Sequence, residues 1–184
     1  MNKALVILSE LNDRDIDWMV THGNREQVTA HTILIHEGQP ISALYIVLEG
    51  TLSVSVAAMG NQEIGKIGCG EVLGEMSFID GRLPSATVKA VQDSVVLAIP
   101  RQKLAEKLDR DVLFALRFYR AVTKFLSTRL RNTVNRFSED SNKSTRSSSD
   151  SPTTHPQLDD QLEVNLSRFD LIMKRLRGID SSDS

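Results

Sequence analysis

The chain has 184 residues, of which 40% are hydrophobic, with a net charge of -2 and one cysteine. This length and composition suffice for one domain with its own core and a tail. The slightly acidic balance argues against a dominant electrostatic role in binding nucleic acid or an anionic membrane. Because Cys69 is alone, a disulfide framework and a cysteine-based metal site are excluded, and a reducing compartment is favoured.

The first part of the chain is expected to be helical. Apolar residues recur at helical spacing between residues 3 and 22, and Asp13 and Asp15 are placed to begin a second short helix. The N-terminal residues lead into a segment that soon becomes acidic, unlike a signal peptide, and no apolar run reaches transmembrane length. The sequence thus predicts N-terminal helices on a soluble, cytoplasmic protein without membrane contact.

A run of short strands follows these helices. Turn residues such as Gly38, Pro40, Gly50 and Gly60 separate short apolar segments. Their close, regular spacing is typical of a β-sandwich or jelly roll. Strands are predicted at residues 32–35, 43–48, 52–56, 64–67, 86–91 and 95–99.

The most distinctive motif, at residues 74–90, has the sequence GEMSFIDGRLPSATVKA. Gly74 lets a ligand approach the main chain, and backbone amides at the start of a short helix can bind an anionic phosphate. Glu75 offers an acceptor for ribose hydroxyls, while Ser85 and Thr87 can donate hydrogen bonds to phosphate oxygens. The same pattern also occurs in β-rich domains without any ligand.

This motif resembles the phosphate-binding cassette of the cyclic-nucleotide-binding domain family, whose members include catabolite activator proteins. The resemblance extends over roughly residues 1–135 and implies that cyclic AMP or cyclic GMP is the ligand. It also implies that the glutamate of the cassette accepts the ribose 2′-hydroxyl. The ligand-binding residues implied in this chain are Gly74, Glu75, Met76, Ser77, Arg82, Ser85, Ala86 and Thr87.

One position departs from the family pattern. Where relatives carry an arginine that grips the cyclic phosphate, this chain has Pro84, and Arg82 lies two residues earlier. An arginine fork matches phosphate oxygens bidentately. Its absence should weaken binding by roughly 1.5–3 kcal/mol, about one to two decades in affinity.

After residue 100 the apolar period changes from two to about 3.6 residues. Pro100 should stop the sheet, and Asp109 or Asp111 should cap a long helix. Its predicted buried stripe, which serves as core or as a dimer seam, consists of Phe114, Phe118, Val122, Phe125, Leu126, Leu130 and Val134. The fold predicted for residues 1–136 is therefore α+β, an eight-stranded antiparallel β-roll with N-terminal helices and a long C-terminal helix.

Two further segments complete the chain. Residues 137–157 are polar and serine-rich, which predicts a disordered linker. Residues 158–178 recover helical spacing before Gly178 and predict an amphipathic helix. Because so short a helix is marginal in water, it should dock on its own domain, a second copy or a partner.

Other chemistries find little support in the sequence. The four histidines are scattered without ligand spacing, so no metal site is expected, and no nucleophile motif indicates an enzyme. Basic residues on the long helix, including Arg117, Arg120, Lys124 and Arg129, are explained by a solvated helical face. No helix-turn-helix pattern follows Val134, so direct DNA binding is not expected.

The sequence therefore predicts a stand-alone sensor that binds a cyclic nucleotide and acts through a protein partner or a homodimer. Residues 111–136 and 158–178 are the segments expected to make that contact. Two alternatives stay open. One is a ligand-independent scaffold with a degenerate nucleotide pocket, and the other is a transcription regulator that needs a second, DNA-binding chain.

Overall fold

The computed structural model describes residues 10–142 and 170–178. In these ranges the chain forms eight strands, four α-helices and one 3-10 helix (Ala57–Met59), with an additional short helical segment at residues 170–177. The helices are α1 (Asp13–His22), α2 (Glu75–Asp80), α3 (Arg101–Arg110) and α4 (Val112–Asn142). The strands are β1 (Asn24–Val28), β2 (Ile33–Ile35), β3 (Ala43–Glu49), β4 (Leu52–Val56), β5 (Gln62–Ile67), β6 (Val72–Leu73), β7 (Thr87–Ala90) and β8 (Ser94–Pro100).

The strands form two four-stranded antiparallel sheets. The first, sheet A, has the order β1-β8-β3-β6, and the second, sheet B, has the order β2-β7-β4-β5. Neighbours in the sheets are mostly distant in sequence, as in a β-roll. The predicted eight-stranded α+β roll is confirmed.

The central strands of sheet A, β3 and β8, are buried on both faces. On β3 the odd residues of 43–47 face the apolar layer between the sheets, whereas the even residues of 44–48 face the helices. Strand β8 divides in the same way, with Val96 and Ala98 between the sheets and Leu97 and Ile99 toward the helices. This two-sided burial explains the continuous apolar runs in both strands. The molecule therefore has three layers: sheet B, sheet A and the helices.

Helix α1 is fastened to α4 by an ion pair. Asn12 caps α1, and the side chain of Asp15 accepts a hydrogen bond from the Asn12 backbone amide in return. The buried Asp15 carboxylate also accepts two hydrogen bonds from Arg117 of α4, at 2.6 and 2.8 Å. Because Asp15 is 3% exposed, Arg117 is a structural partner and not part of a solvated face, which corrects that sequence interpretation.

Helix α4 begins where the sequence predicts but differs in its later turns. Asp111 caps it by accepting a hydrogen bond from the Phe114 amide at 2.9 Å. The helix continues to Asn142, so residues 137–142, predicted as linker, are helical. Leu130 and Val134 are exposed although the predicted stripe includes them. The rest of the predicted linker, from residue 143, lies outside the described residues.

Two strands have no counterpart among the predicted segments. Strand β1 has the sequence NREQV and only its last residue is buried, so no apolar alternation marks it. Strand β6 is only two residues long. Both belong to sheet A, where pairing with longer apolar strands supplies the stability that their own sequences lack.

The C-terminal segment, residues 170–178, packs against its own domain. Ile172, Met173 and Leu176 are buried in the same apolar cluster as α1, α4 and the outer face of sheet A. The Leu176 carbonyl accepts a hydrogen bond from Arg25 of β1 at 2.8 Å. The sequence leaves open whether the C-terminal helix docks on its own domain, a second copy or a partner. Residues 170–178 dock on their own domain. Residues 158–169 of the predicted helix, and residues 3–9 at the N-terminus, lie outside the described residues.

We expect Leu176→Ala to destabilise the domain by about 2–5 kcal/mol, because it removes a fully buried side chain from the core. Urea unfolding of the full chain measures this loss. Leu171→Ala is the matched control, since Leu171 is 58% exposed on the same segment. Equal stability of both variants would contradict the packing of residues 170–178 on this core.

Candidate functional site

A cavity of about 370 Å³ lies between sheet B, helix α2 and the second half of α4. Apolar side chains of the strands line its inner wall, including those of Ile35, Val54 and Val88. Polar groups converge at its ends from the loop around Gly74, from the loop before β7 and from α4. An apolar cavity with a few convergent polar groups is the usual form of a small-molecule site.

The turn from β6 into α2 brings backbone and carboxylate to this cavity. Gly74 adopts φ +83°, a left-handed conformation that favours glycine, and a Cβ there would lie 2.6 Å from Ile41. Helix α2 begins directly after it, so the first-turn amides lack intrahelical acceptors. Phe78 of α2 packs edge-on against Phe118 of α4, with ring centroids 5.9 Å apart. The turn is thus held between sheet A and α4.

Glu75 is the most constrained charged group of the cavity. Its side chain is 3% exposed, and its carboxylate accepts a hydrogen bond from Arg129 of α4 at 2.6 Å. The Arg129 guanidinium also lies over the Phe125 ring, 4.8 Å from its centroid. Burial raises the pKa of the Glu75 carboxyl above its ordinary value, and the Arg129 charge opposes that rise.

The structure brings seven of the eight predicted site residues to the cavity lining. These seven are Gly74, Glu75, Met76, Ser77, Arg82, Ser85 and Ala86. The eighth, Thr87, is not on the lining, and its hydroxyl accepts a hydrogen bond from the Glu37 amide at 3.2 Å. The Arg82 side chain is 86% exposed and lies 3.9 Å from Asp80.

Pro84, at the position of the family arginine, also lines the cavity. Its carbonyl accepts a hydrogen bond from the Gly38 amide at 2.9 Å, which joins the loop before β7 to the turn after β2. The backbone of the loop before β7 is therefore tied to the roll, while the proline at position 84 places no cation on the lining.

The resemblance implies that the long helix lies against the pocket, but sequence reasoning missed which residues of α4 line the cavity. Arg129, Asn132 and Thr133 line it, so the interpretation of Arg129 as a solvated cation is wrong. A signal was available: Arg129 follows Phe118, Val122 and Phe125 at spacings of four, three and four, the next position of the buried stripe. Glu71 and Lys66 are further charged residues on the lining that the motif did not indicate.

Within residues 10–142 and 170–178, no three or more histidine, cysteine, aspartate or glutamate side chains are grouped as a metal site. In the same ranges, no helix is long and apolar enough to cross a membrane.

Comparisons with known proteins identify the domain. The profile of the family described as "Cyclic nucleotide-binding domain" matches residues 25–111, which contain both sheets, α2 and α3. Residues 25–111 therefore match the cyclic nucleotide-binding domain family, and the fold is the β-roll seen in the catabolite activator protein structure. No helix-turn-helix follows α4 in the part of the chain that the structure describes.

This chain matches parts of two larger proteins. An uncharacterized NTE family protein of Mycobacterium bovis is 30% identical over 120 residues, which are 65% of this chain and 20% of that protein. The cAMP-activated global transcriptional regulator CRP of Haemophilus influenzae is 30% identical over 131 residues, 67% of this chain and 56% of that protein. The chain thus spans about a fifth of one relative and just over half of the other.

Solved structures agree with this assignment. The catabolite activator protein of Thermus thermophilus superposes with a TM-score of 0.60 at 26% identity, covering 74% of this chain and 63% of that chain. A cyclic nucleotide-binding domain from Methylobacillus flagellatus has a TM-score of 0.66 at 23% identity and covers 73% of this chain and 82% of that chain. The second likeness concerns the fold alone.

We expect Arg129→Ala to destabilise the protein by about 3 kcal/mol, because it leaves the Glu75 carboxylate buried without its cation. Urea unfolding is the measurement, and Arg131→Ala on the exposed side of α4 is the control. Adding Glu75→Gln to Arg129→Ala should recover part of the loss. Additive losses in the double variant would show that the two residues are not coupled.

The raised pKa of Glu75 has a consequence for stability against pH. Between its ordinary pKa of 4.5 and the higher value in the folded protein, the folded state binds more protons than the unfolded chain. The contribution of Glu75 to stability therefore falls as pH rises through that range and is constant above it. Urea unfolding from about pH 4 to about pH 8 should show this fall in the wild-type protein minus Glu75→Gln. A flat difference would contradict the raised pKa.

Proposed function

We propose that this chain is a regulatory sensor that binds a cyclic nucleotide in the cavity between sheet B, α2 and α4. Glu75 carries the proposal: a buried carboxylate at the cavity, oriented by Arg129, within a domain of the cyclic nucleotide-binding family. Such a carboxylate accepts hydrogen bonds from ribose hydroxyls at fixed positions. The first-turn amides of α2, with Ser85 and Arg82 at the rim, are the proposed partners of the phosphate.

Other residues on the lining are the proposed contacts of the nucleotide base. Val54, Ile64 and Leu83 give apolar contact surface on the lining, and Asn132 and Thr133 of α4 offer hydrogen-bonding groups. Since Arg129 lies on the same helix face, a bound nucleotide would touch both the roll and α4. Either cyclic AMP or cyclic GMP is compatible with these groups.

Helix α4 is the proposed output element. Leu113, Leu116 and Tyr119 are exposed in its first half, and Leu130 and Val134 in its second. We propose that this exposed apolar surface contacts a protein partner or a second copy of the chain. Ile172, Met173 and Leu176 face their own core, which limits the proposed surface at the C-terminus to other residues of 158–178.

We further propose that the chain acts as a cytoplasmic regulator without catalytic activity of its own and without direct DNA binding. The name of the Haemophilus influenzae relative supports a link to transcription, which in this chain requires another, DNA-binding chain. The Mycobacterium bovis relative supports a regulatory segment attached to a larger protein, because the match covers 20% of it.

Pro84 favours a second candidate, a ligand-independent scaffold. The cations on the cavity lining are Lys66, Arg82 and Arg129. Each lies near a carboxylate: Glu63 at 3.9 Å, Asp80 at 3.9 Å and Glu75 at 2.6 Å, respectively. A phosphate would have to compete with those carboxylates for positive charge. Binding, if retained, should therefore be weaker than in relatives that carry the arginine.

Calorimetric titration of the purified chain with cyclic AMP and cyclic GMP tests the two candidates. We expect the wild-type protein to bind at least one nucleotide and Glu75→Gln to bind it less tightly by about tenfold or more, because a charged acceptor is lost. Pro84→Arg should tighten binding by about one to two decades, since it restores a bidentate phosphate partner.

Arg14→Ala, on the exposed side of α1, serves as the control and should leave the affinity unchanged. If wild type and Pro84→Arg both fail to bind while remaining folded, the sensor function is wrong and the scaffold is favoured. If Pro84→Arg binds no better and Arg82→Ala abolishes binding, Arg82 is the phosphate partner.

A further inference from the structure

We propose that Arg177, near the end of the C-terminal segment, is a positioning residue for the nucleotide cavity. It acts through the turn at residues 68–71, which connects β5 to β6. The proposal rests on the proposed function for its effect on affinity, while its effect on the turn is independent of any ligand.

Arg177 binds the roll at a break in the β3–β8 ladder. The pairing register of β3 shifts between Val47 and Glu49, at Leu48. The Leu48 carbonyl accepts two hydrogen bonds from the Arg177 guanidinium, at 3.1 Å from Nε and 2.8 Å from Nη2. It also accepts one from the Cys69 thiol at 3.2 Å. A charged fork thus satisfies a backbone carbonyl at the bulge, where regular pairing is interrupted.

The same guanidinium contacts the turn itself. Nη2 of Arg177 donates to the Cys69 sulfur at 3.2 Å, and the amides of the two flanking glycines also donate hydrogen bonds. The Gly70 amide donates to the Val47 carbonyl at 2.7 Å, and the Gly68 amide to the Glu71 carboxylate at 2.8 Å. Arg177 therefore bridges the end of β3 to a tight turn, each part of which is hydrogen-bonded.

This turn leads directly into the cavity. Glu71 closes the turn and is on the cavity lining. Strand β6 follows with only two residues paired to β3, and then Gly74 and Glu75 reach the proposed ligand. So short a strand has few ladder hydrogen bonds of its own, so its position depends on what holds its ends. Helix α2 holds the far end through Phe78 and Glu75, and the turn holds the near end.

Arg175 offers a matched comparison on the same segment. Its guanidinium forms ion pairs with Asp17 at 3.1 Å and Asp13 at 3.7 Å, both on α1. Arg175 and Arg177 thus both attach the segment to its domain, but the described contacts of Arg175 are with α1 and not with the turn. Replacing Arg175 loosens the segment without removing the bridge to residues 68–71.

Hydrogen exchange and calorimetry on the full chain test this proposal with Arg177→Ala, Arg177→Lys and Arg175→Ala. In the absence of nucleotide, Arg177→Ala should exchange about tenfold faster in peptides covering residues 68–73, the factor expected when a charged donor is lost. Peptides of β4 should be unchanged. Arg177→Lys should recover part of the protection, because an ammonium can still donate to the Leu48 carbonyl.

With cyclic AMP or cyclic GMP, Arg177→Ala should bind about three- to tenfold more weakly than wild type, and Arg175→Ala should bind equally well. Unchanged exchange in residues 68–73, or equal acceleration by Arg175→Ala, would overturn the proposal. So would an unchanged affinity in Arg177→Ala when wild type binds. If neither wild type nor Pro84→Arg binds a nucleotide, the proposed function fails, and the exchange result alone decides the role of Arg177.

Discussion

Burial of the central strands of sheet A, β3 and β8, on both faces is the constraint on which the rest of the structure depends. Strands β3 and β8 run through the centre of the molecule with apolar side chains pointing alternately to sheet B and to the helices. Neither face of sheet A can stay in water, so both sheet B and a helical layer are needed for a stable fold. Helix α1, helix α4 and residues 170–177 together form that helical layer.

The helical layer also supplies one charged residue of the site, Arg129 of α4. Glu75 is held at the cavity by Arg129, and α4 is held to α1 by the Asp15–Arg117 pair. One helix thus connects the cavity to the N-terminal part of the domain through two buried carboxylates. A buried carboxylate that is paired with a cation is sensitive to a new hydrogen-bonding partner, because that partner changes both its solvation and its interaction with the cation. The Glu75–Arg129 pair therefore joins the cavity directly to α4.

The sequence predicted those parts that carry strong local patterns. Apolar runs marked β3 and β8, turn residues separated the strands, and Asp111 marked the start of α4. Strand β1 was missed because its residues are mostly polar and its pairing with β8 is a long-range property. Arg129 was missed because the predicted stripe was continued through Leu130 and Val134, which are exposed, and not through position 129. The docking of residues 170–177 was left open, since an apolar face shows that a helix needs a partner but not which one.

The contact between α1 and the C-terminal segment also determines how the domain would respond to tension. Asp17 near one end of the described chain is ion-paired with Arg175 near the other, at 3.1 Å. A pulling force applied at these two ends would first load side-chain contacts and one short apolar face. The antiparallel ladders of the sheets do not include this contact, so we expect the C-terminal segment to detach under such a force before the β-roll unfolds.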